Sequence, residues 1–223
     1  DTREMIKGAA ALVSGASPER VRDEIYGVFA ADNAYTGVRV LDETGILSAV
    51  IPEIEQARGV SQPPNHHYWD VFEHSMHTVE KIDQIFGDIT ELEVDHPILE
   101  IPGTADFPDY FGEEVGDGQT RATLLRLTSL LHDIGKPETK TISEEGKIQF
   151  LGHGELGSEI VTDILTRLRC SNSVIRHVSA MIYSHLRPGQ ISRDRAEPSH
   201  RAVYRYWRDM GSVAIDTVYL SFA

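Results

Sequence analysis

The sequence predicts an all-α protein. Apolar residues recur at the three- and four-residue spacing of helices, helix-start signals precede several of these segments, and few segments alternate as strands do. The 223 residues, 40% hydrophobic and 25% charged, suffice for one large domain or two small ones with a buried core.

The first predicted unit, residues 1–61, is a row of short helices. In SGASPERVRDEIYGVF, Ser17 is the expected N-cap and Pro18 takes the first helical position. Helical spacing continues through GVRVLDETGILSAVIPEIEQA, and we expect breaks at Gly45 and Pro52.

The second predicted unit, residues 62–223, follows the Pro-Pro pair in VSQPPNHHYWD. It opens with an amphipathic helix, DVFEHSMHTVEKIDQIF, followed at about 87–118 by a stretch rich in Pro, Gly and acids. We expect this stretch to be a long surface insertion. Beyond it, TRATLLRLTSLLHDIG predicts a helix and TKTISEEGKIQFLGH a small hairpin. Three more helical segments are expected near 155–169, 173–185 and 198–223.

The net charge of −14 is concentrated in one part of the chain. Residues 83–118 contain eleven Asp or Glu and no Lys or Arg, whereas residues 119–223 carry fourteen Lys or Arg against eleven acids. Acidic surfaces repel phosphates, but the uneven distribution leaves a nucleic-acid partner open.

The single cysteine, Cys170, excludes an intramolecular disulfide and favours a reducing compartment. No apolar run approaches the roughly 18 residues of a membrane span, and no signal-peptide pattern opens the sequence. We therefore expect a cytoplasmic protein with no membrane partner.

Histidines near predicted helix ends are the candidate metal ligands. His132 and Asp133 fall in the last turn of their helix. Because neighbouring residues are about 100° apart, they can share an ion only near their common edge. The alternative is an exposed helix cap. His74 lies at the edge of an apolar stripe, where a half-buried ligand would sit, while His77 faces away and is predicted to be a surface residue.

His153 precedes one predicted helix and His185 ends another. Each taken alone could be an ordinary structural histidine. Together the candidates form an imidazole-rich set with one carboxylate: His74, His132, Asp133, His153 and His185. Such ligands suit Mn, Fe, Co, Ni or Zn better than Ca, and their spacing does not fit a zinc finger.

Two further features point towards phosphates. Lys136, three residues after Asp133, could offer a cation to a phosphate near the metal. The segment HLRPGQISRDRAEPSHRAVYRYWRD holds six Arg against three acids and includes Tyr204, Tyr206 and Trp207. It could follow an RNA backbone and stack on bases, although a solvated helix with its aromatic rings turned inward is the preferred interpretation.

Four motifs in this order resemble those of the HD superfamily of metal-dependent phosphohydrolases: DVFEHS, LLHDIGKPETKT, FLGHGELGSE and SHLRP. The preceding ASPERVRDEI and VRVLDETGILSAVIPEIEQARGVSQ resemble the helical neck of bacterial tRNA nucleotidyltransferases and poly(A) polymerase-like proteins. The resemblance implies an HD-domain helical bundle at 62–223, preceded by a small RNA-binding neck at 1–61.

The resemblance also implies ligand roles. His74, His132 and Asp133 match the family's metal-binding positions, and His153 and His185 match positions that bind a second metal in dinuclear members. We accordingly expect one or two divalent ions, from Mn, Fe, Co, Ni, Zn or Mg.

The family's metal set is normally completed by a later Asp in a helix resembling LSFAD, whereas this sequence reads YLSFA up to Ala223. We expect that ligand to be missing, with Asp216 as a weak substitute. In the family that the sequence resembles, nucleotide addition depends on a Gly-Ser motif followed by Asp-x-Asp. No two Asp here are separated by one residue. The expectation is a C-terminal part of a longer protein that does not add nucleotides by itself.

The function implied by the resemblance is phosphoester hydrolysis of a nucleotide, a 2′,3′-cyclic phosphate or an RNA end. Asp133, Lys136 and Arg187 are its predicted catalytic residues, the last two neutralising charge on the phosphate. The competing hypothesis is a non-catalytic tRNA- or RNA-binding scaffold with a vestigial HD domain. In both cases RNA would bind through the neck and the C-terminal basic region.

Overall fold

A computed structural model describes residues 2–63, 69–91, 107–191 and 197–223, without the side chains of 88–91. The described residues are mostly helical, so the predicted all-α fold is confirmed. The α-helices are α1 Thr2–Ala9, α2 Pro18–Ala30, α3 Ala34–Glu43, α4 Ile46–Val50, α5 Val71–Glu91, α6 Phe107–Gly112, α7 Arg121–Leu131, α8 Lys136–Thr139, α9 His153–Arg167, α10 Asn172–Ser184, α11 Arg187–Ile191, α12 His200–Met210 and α13 Ala214–Phe222. The strands are β1 Glu114–Gly116, β2 Gln119–Thr120, β3 Lys140–Ile142 and β4 Ile148–Phe150, and 3-10 turns cover Ala10–Gly15, Pro52–Ala57 and Gly211–Val213.

The sequence signals of the first unit are found where they were predicted. The Ser17 side chain accepts a hydrogen bond from the backbone N–H of Arg20, and Pro18 begins α2. Gly45 has φ +77°, a left-handed conformation that glycine adopts without strain, and it separates α3 from α4. The predicted hairpin is also confirmed, because β3 and β4 pair antiparallel.

Helix α7 lies at the centre of the fold. All residues from Thr123 to Leu131 are buried, as expected for a helix covered on every side. It packs against α5 and α10 of the second unit and against α2 of the first. Residues 25–57 of the first unit therefore share one buried core with the second. The division at residue 61 stays a prediction about domains.

A buried ion pair ties this core together. The guanidinium of Arg126 on α7 lies 2.6 Å from the Asp83 carboxylate on α5, and both side chains are about one tenth exposed or less. Asp83 also accepts a hydrogen bond of 2.8 Å from the backbone N–H of Tyr35 on α3. Burial raises the pKa of Asp83, and these two contacts oppose that shift. The carboxylate of Asp83 thus connects α5 to both α7 and α3.

Small residues let the end of α7, the start of α9 and α10 approach closely. A Cβ on Gly135 would meet the carbonyl oxygen of His153 at 2.3 Å and the amide nitrogen of Gly157 at 2.7 Å. A Cβ on Gly154 would meet the carbonyl oxygen of Tyr183 at 3.0 Å. These glycines allow backbone contacts that larger residues would prevent.

The structure corrects two expectations. The stretch at 87–118 is not simply a solvated insertion: α5 runs on to Glu91, and Phe107 and Phe111 of α6 are buried in the core. Residues 92–106 lie outside the described residues. The single helix expected at 198–223 is two, because Gly211 has φ +54° and ends α12.

Of the three C-terminal aromatic rings that were predicted to turn inward, only one does so. Tyr206 is buried, and its hydroxyl donates to the carbonyl of Ala214 at 2.6 Å. Tyr204 and Trp207 are 67% and 48% exposed.

In the described ranges, no helix combines the length and apolarity needed to cross a membrane.

Candidate metal centre

The five predicted ligands come from four helical segments and meet at one place. His74 lies on α5, His132 and Asp133 directly follow α7, His153 begins α9 and His185 directly follows α10. Their ligand atoms form two groups, His74–His132–Asp133 and Asp133–His153–His185, each within 4.8 Å. The carboxylate of Asp133 is common to both.

The two oxygens of Asp133 face different imidazoles. Its Oδ2 lies 3.1 Å from Nε2 of His132 and 3.4 Å from Nε2 of His74. Its Oδ1 lies 3.5 Å from Nε2 of His153 and 3.7 Å from Nε2 of His185. A carboxylate so placed can contact a cation on either side.

Backbone carbonyls orient three of the imidazoles. Nδ1 of His132 lies 2.8 Å from the carbonyl oxygen of Ser129, and Nδ1 of His153 lies 2.6 Å from that of Phe150. Nδ1 of His185 lies 2.6 Å from the carbonyl oxygen three residues before it. A carbonyl only accepts, so each Nδ1 carries a proton, and Nε2 is the atom that holds a lone pair when the ring is neutral. This arrangement is typical of metal-binding histidines.

Burial keeps two of these rings neutral. It lowers the pKa of His185 to about 4 and lowers that of His153, with the nearby Asp133 opposing the shift. Burial would raise the pKa of Asp133 itself, but His132 and the ammonium of Lys136 outweigh it and hold that pKa well below its usual range. The cluster therefore combines an ionised carboxylate with the neutral imidazoles of His153 and His185.

Lone pairs in the cluster face one another without a proton between them. Nε2 of His153 lies 3.1 Å from Nε2 of His185, and neutral rings with protonated Nδ1 atoms cannot hydrogen-bond there. Both Asp133 oxygens are buried and, among the described residues, accept no hydrogen bond of good geometry. Asp133 Oδ2 has an ionic partner in Lys136, but in the described part of the chain Oδ1 and the facing Nε2 lone pairs of His153 and His185 do not. A divalent ion would satisfy these lone pairs, so the residues present fit a metal.

Lys136 supplies positive charge at the edge of the cluster. Its ammonium is 2.6 Å from Asp133 Oδ2 and donates a 2.6 Å hydrogen bond to Oε1 of Gln62. It also lies over the ring of Phe150. Lys136 and four of the five ligands, all but His153, line a cavity of about 260 Å³, which Leu220 of α13 borders on another side. The cation and the metal ligands thus face the same space.

Gln62 was missed by sequence reasoning. Its Nε2 donates to the backbone carbonyls of Trp69 and Asp70, at 3.3 and 3.4 Å, which aims its Oε1 at Lys136. No local pattern marks this residue, because its partner is 74 positions away.

Other sequence candidates lie elsewhere. Arg187 lines a neighbouring groove and bonds Asp209 at 3.2 Å, so the geometry gives no support to its predicted contact with the reacting phosphate. Asp216 is buried 2.9 Å from the guanidinium of Arg121, outside both metal groups, and is therefore no substitute ligand. His77, predicted to be a surface residue, is only partly exposed because its ring stacks on Trp69, and it also lies outside both groups.

Two family models match this chain. Residues 71–210, more than half of the chain, match the model of the HD domain. The chain belongs to the HD domain family. Residues 1–58 match a second family, described as the probable RNA- and SrmB-binding site of polymerase A. The resemblance predicted from the sequence is thereby confirmed.

Two tRNA nucleotidyltransferases are similar to this HD-domain chain. The A-adding enzyme of Deinococcus radiodurans is 31% identical over 202 residues, and the CC-adding enzyme of Thermus thermophilus is 27% identical over 206. These alignments cover 88% and 92% of this chain. The chain spans 38% of the length of each relative.

Proposed function

We propose that this HD domain hydrolyses phosphoesters with the help of one or two divalent ions. The observation that carries the proposal is the buried Asp133, whose two oxygens each face a pair of imidazole Nε2 atoms. Lys136 borders the same cavity. When bound, such ions lower the pKa of a water ligand and polarise a phosphoryl oxygen.

The side chains of the chain have separate roles in this proposal. His74, His132 and Asp133 would hold one ion, and His153 and His185 with Asp133 would hold a second. The Lys136 ammonium would orient the phosphate by pairing with a non-bridging oxygen, and it would offset charge that develops there. Its burial and its bond to Gln62 fix the ammonium before the substrate arrives.

The proposed substrate is a phosphoester of one of three kinds: a nucleotide, a 2′,3′-cyclic phosphate or an RNA end. Support comes from the match of residues 1–58 to an RNA-binding family and from relatives named as tRNA nucleotidyltransferases. We also propose tRNA or RNA as the partner, bound through the neck and the C-terminal basic region.

The test is hydrolysis of bis-p-nitrophenyl phosphate and p-nitrophenyl phosphate by protein loaded in turn with each candidate ion. We expect the wild type to turn over these esters and Asp133→Ala and His132→Ala to lose that turnover. His77→Ala should hydrolyse the esters as the wild type does. His77 is a matched control because it lies one turn from His74 on α5, outside both ligand groups. Equal turnover in Asp133→Ala and the wild type would refute the proposal.

A non-catalytic RNA-binding scaffold is the second candidate. The exposed rings of Tyr204 and Trp207, interleaved with arginines on α12, favour it. Bound metal without turnover on any of these esters, together with salt-sensitive tRNA binding, would select the scaffold over the hydrolase.

A further inference from the structure

Helix α12 presents a basic and aromatic face to solvent. Successive helical residues are 100° apart, which places Tyr204, Arg208, Arg201 and Arg205 side by side in that order. Trp207 borders Tyr204 on the opposite edge. All five side chains are exposed. The arrangement puts two flat rings beside three guanidinium groups.

Two of these arginines have no acidic partner in the part of the chain that the structure describes. Among the described residues, Arg201 and Arg205 form no ion pair, while Arg208 pairs with Asp209 at 2.6 Å. Most basic side chains of the neck, by contrast, are paired with carboxylates: Arg3 with Glu43, Lys7 with Glu4, Arg22 with Asp23, Arg39 with Glu73, and Arg58 with Asp42 and Glu55. The guanidinium groups of Arg201 and Arg205 on α12 are therefore available to a phosphate.

A groove adjoins this face. It has a volume of about 560 Å³ and is lined by Arg176 and Tyr183 of α10, by Arg187 and by Asp209. Arg205 lies one helical turn before Asp209, so the arginine edge of α12 reaches the rim of the groove. Tyr183 is 63% exposed and adds a third ring.

The turn between α10 and α11 separates this groove from the metal cavity. Tyr183, Ser184 and Arg187 line the groove, whereas His185 and Leu186 line the cavity. A chain lying in the groove would therefore reach the metal ligands by crossing a single turn of backbone.

We propose that α12 and this groove bind single-stranded RNA and direct its end into the metal cavity. Guanidinium groups without acidic partners fit phosphates, and exposed rings between them fit unstacked bases. The inference rests on the proposed RNA partner, and it does not require that the cluster hydrolyses the RNA.

Binding is measured by fluorescence anisotropy with a short fluorescein-labelled oligoadenylate in EDTA, so that hydrolysis plays no part. We expect the double variant Arg201→Glu and Arg205→Glu to bind at least tenfold more weakly. It should also reduce the salt-dependence slope by about 1.4, the value for two lost single-strand phosphate contacts. The matched control is Lys81→Glu with Lys147→Glu, an equal charge change on α5 and the hairpin loop, which should bind as the wild type does.

Stacking is tested separately at Tyr204. We expect Tyr204→Ala to raise Kd about 5- to 150-fold and Tyr204→Phe to restore binding, because the ring and not the hydroxyl contacts a base. An oligoadenylate with a terminal 4-thiouridine should crosslink to residues 183–191. Unchanged affinity in the glutamate pair, equal losses in the lysine control, or crosslinks confined to the neck would each overturn the proposal.

Discussion

The substitution Gly135→Ala tests the close packing that assembles the metal cluster. The added Cβ would lie 2.3 Å from the carbonyl oxygen of His153 and 2.7 Å from the amide nitrogen of Gly157. Both are backbone atoms and cannot rotate away, so α9 must move. The backbone of Gly135 has φ −82°, which alanine adopts freely, and the cost is therefore steric alone.

Such overpacking costs about 1 to 3 kcal/mol of unfolding free energy. For a chain of this size, each kcal/mol shifts Tm by about 2 to 4 °C, so we expect Tm to fall by about 2 to 12 °C. The assay is thermal unfolding followed by circular dichroism without metal. Displacement of His153 should also weaken metal binding.

The control is Gly27→Ala on α2, where nothing lies within 4 Å of the added Cβ. Alanine is the better helix former by about 0.5 to 1 kcal/mol, so this variant should unfold at a slightly higher temperature. A Gly135→Ala protein that unfolds at or above the wild-type temperature would refute the packing argument.

Three further predictions concern single side chains. Arg126→Met should destabilise the fold by about 3 to 5 kcal/mol in urea unfolding, because it leaves the buried Asp83 without its partner; a change below about 1 kcal/mol would contradict this. An ion at one hundred times its Kd should raise the wild-type Tm by about 5 to 11 °C, from about 2.7 kcal/mol of linked binding energy. His132→Ala should abolish that rise and His77→Ala should keep it, and the same rise in both variants would disprove the ligand assignment. Lys136→Met should bind metal but lose about 10²- to 10³-fold in kcat on phosphoesters, so wild-type kcat would exclude a role for the ammonium.

The helices and their ends could be predicted because they depend on neighbouring residues. The Ser17 cap and the glycine breaks need only local chemistry. The same reasoning placed His153 and His185 at helix ends, although their convergence on Asp133 came from the family resemblance.

Contacts between distant segments could not be predicted in this way. Gln62 has no local signature, since it acts through Lys136 far along the chain. Phe107 lies in an acid-rich stretch whose composition indicates solvent, yet its ring packs in the core against Phe86 and Tyr219. Composition describes the average of a segment and does not locate its buried side chains.

The orientation of the C-terminal aromatics shows the same limit. Tyr206 faces the core while Tyr204 and Trp207 face solvent, although all three lie within four consecutive positions. The difference arises because α13 covers one side of α12, where the Tyr206 hydroxyl donates a hydrogen bond to the carbonyl of Ala214.

Metal content is the most direct test of the account. The purified protein, stripped and reloaded with each candidate ion, is analysed by inductively coupled plasma mass spectrometry beside Asp133→Ala. We predict at least one tightly held divalent ion per wild-type chain and its loss in the variant, because Asp133 joins both ligand groups. No retained ion in the wild type, or equal content in the two proteins, would contradict the assignment of a metal centre.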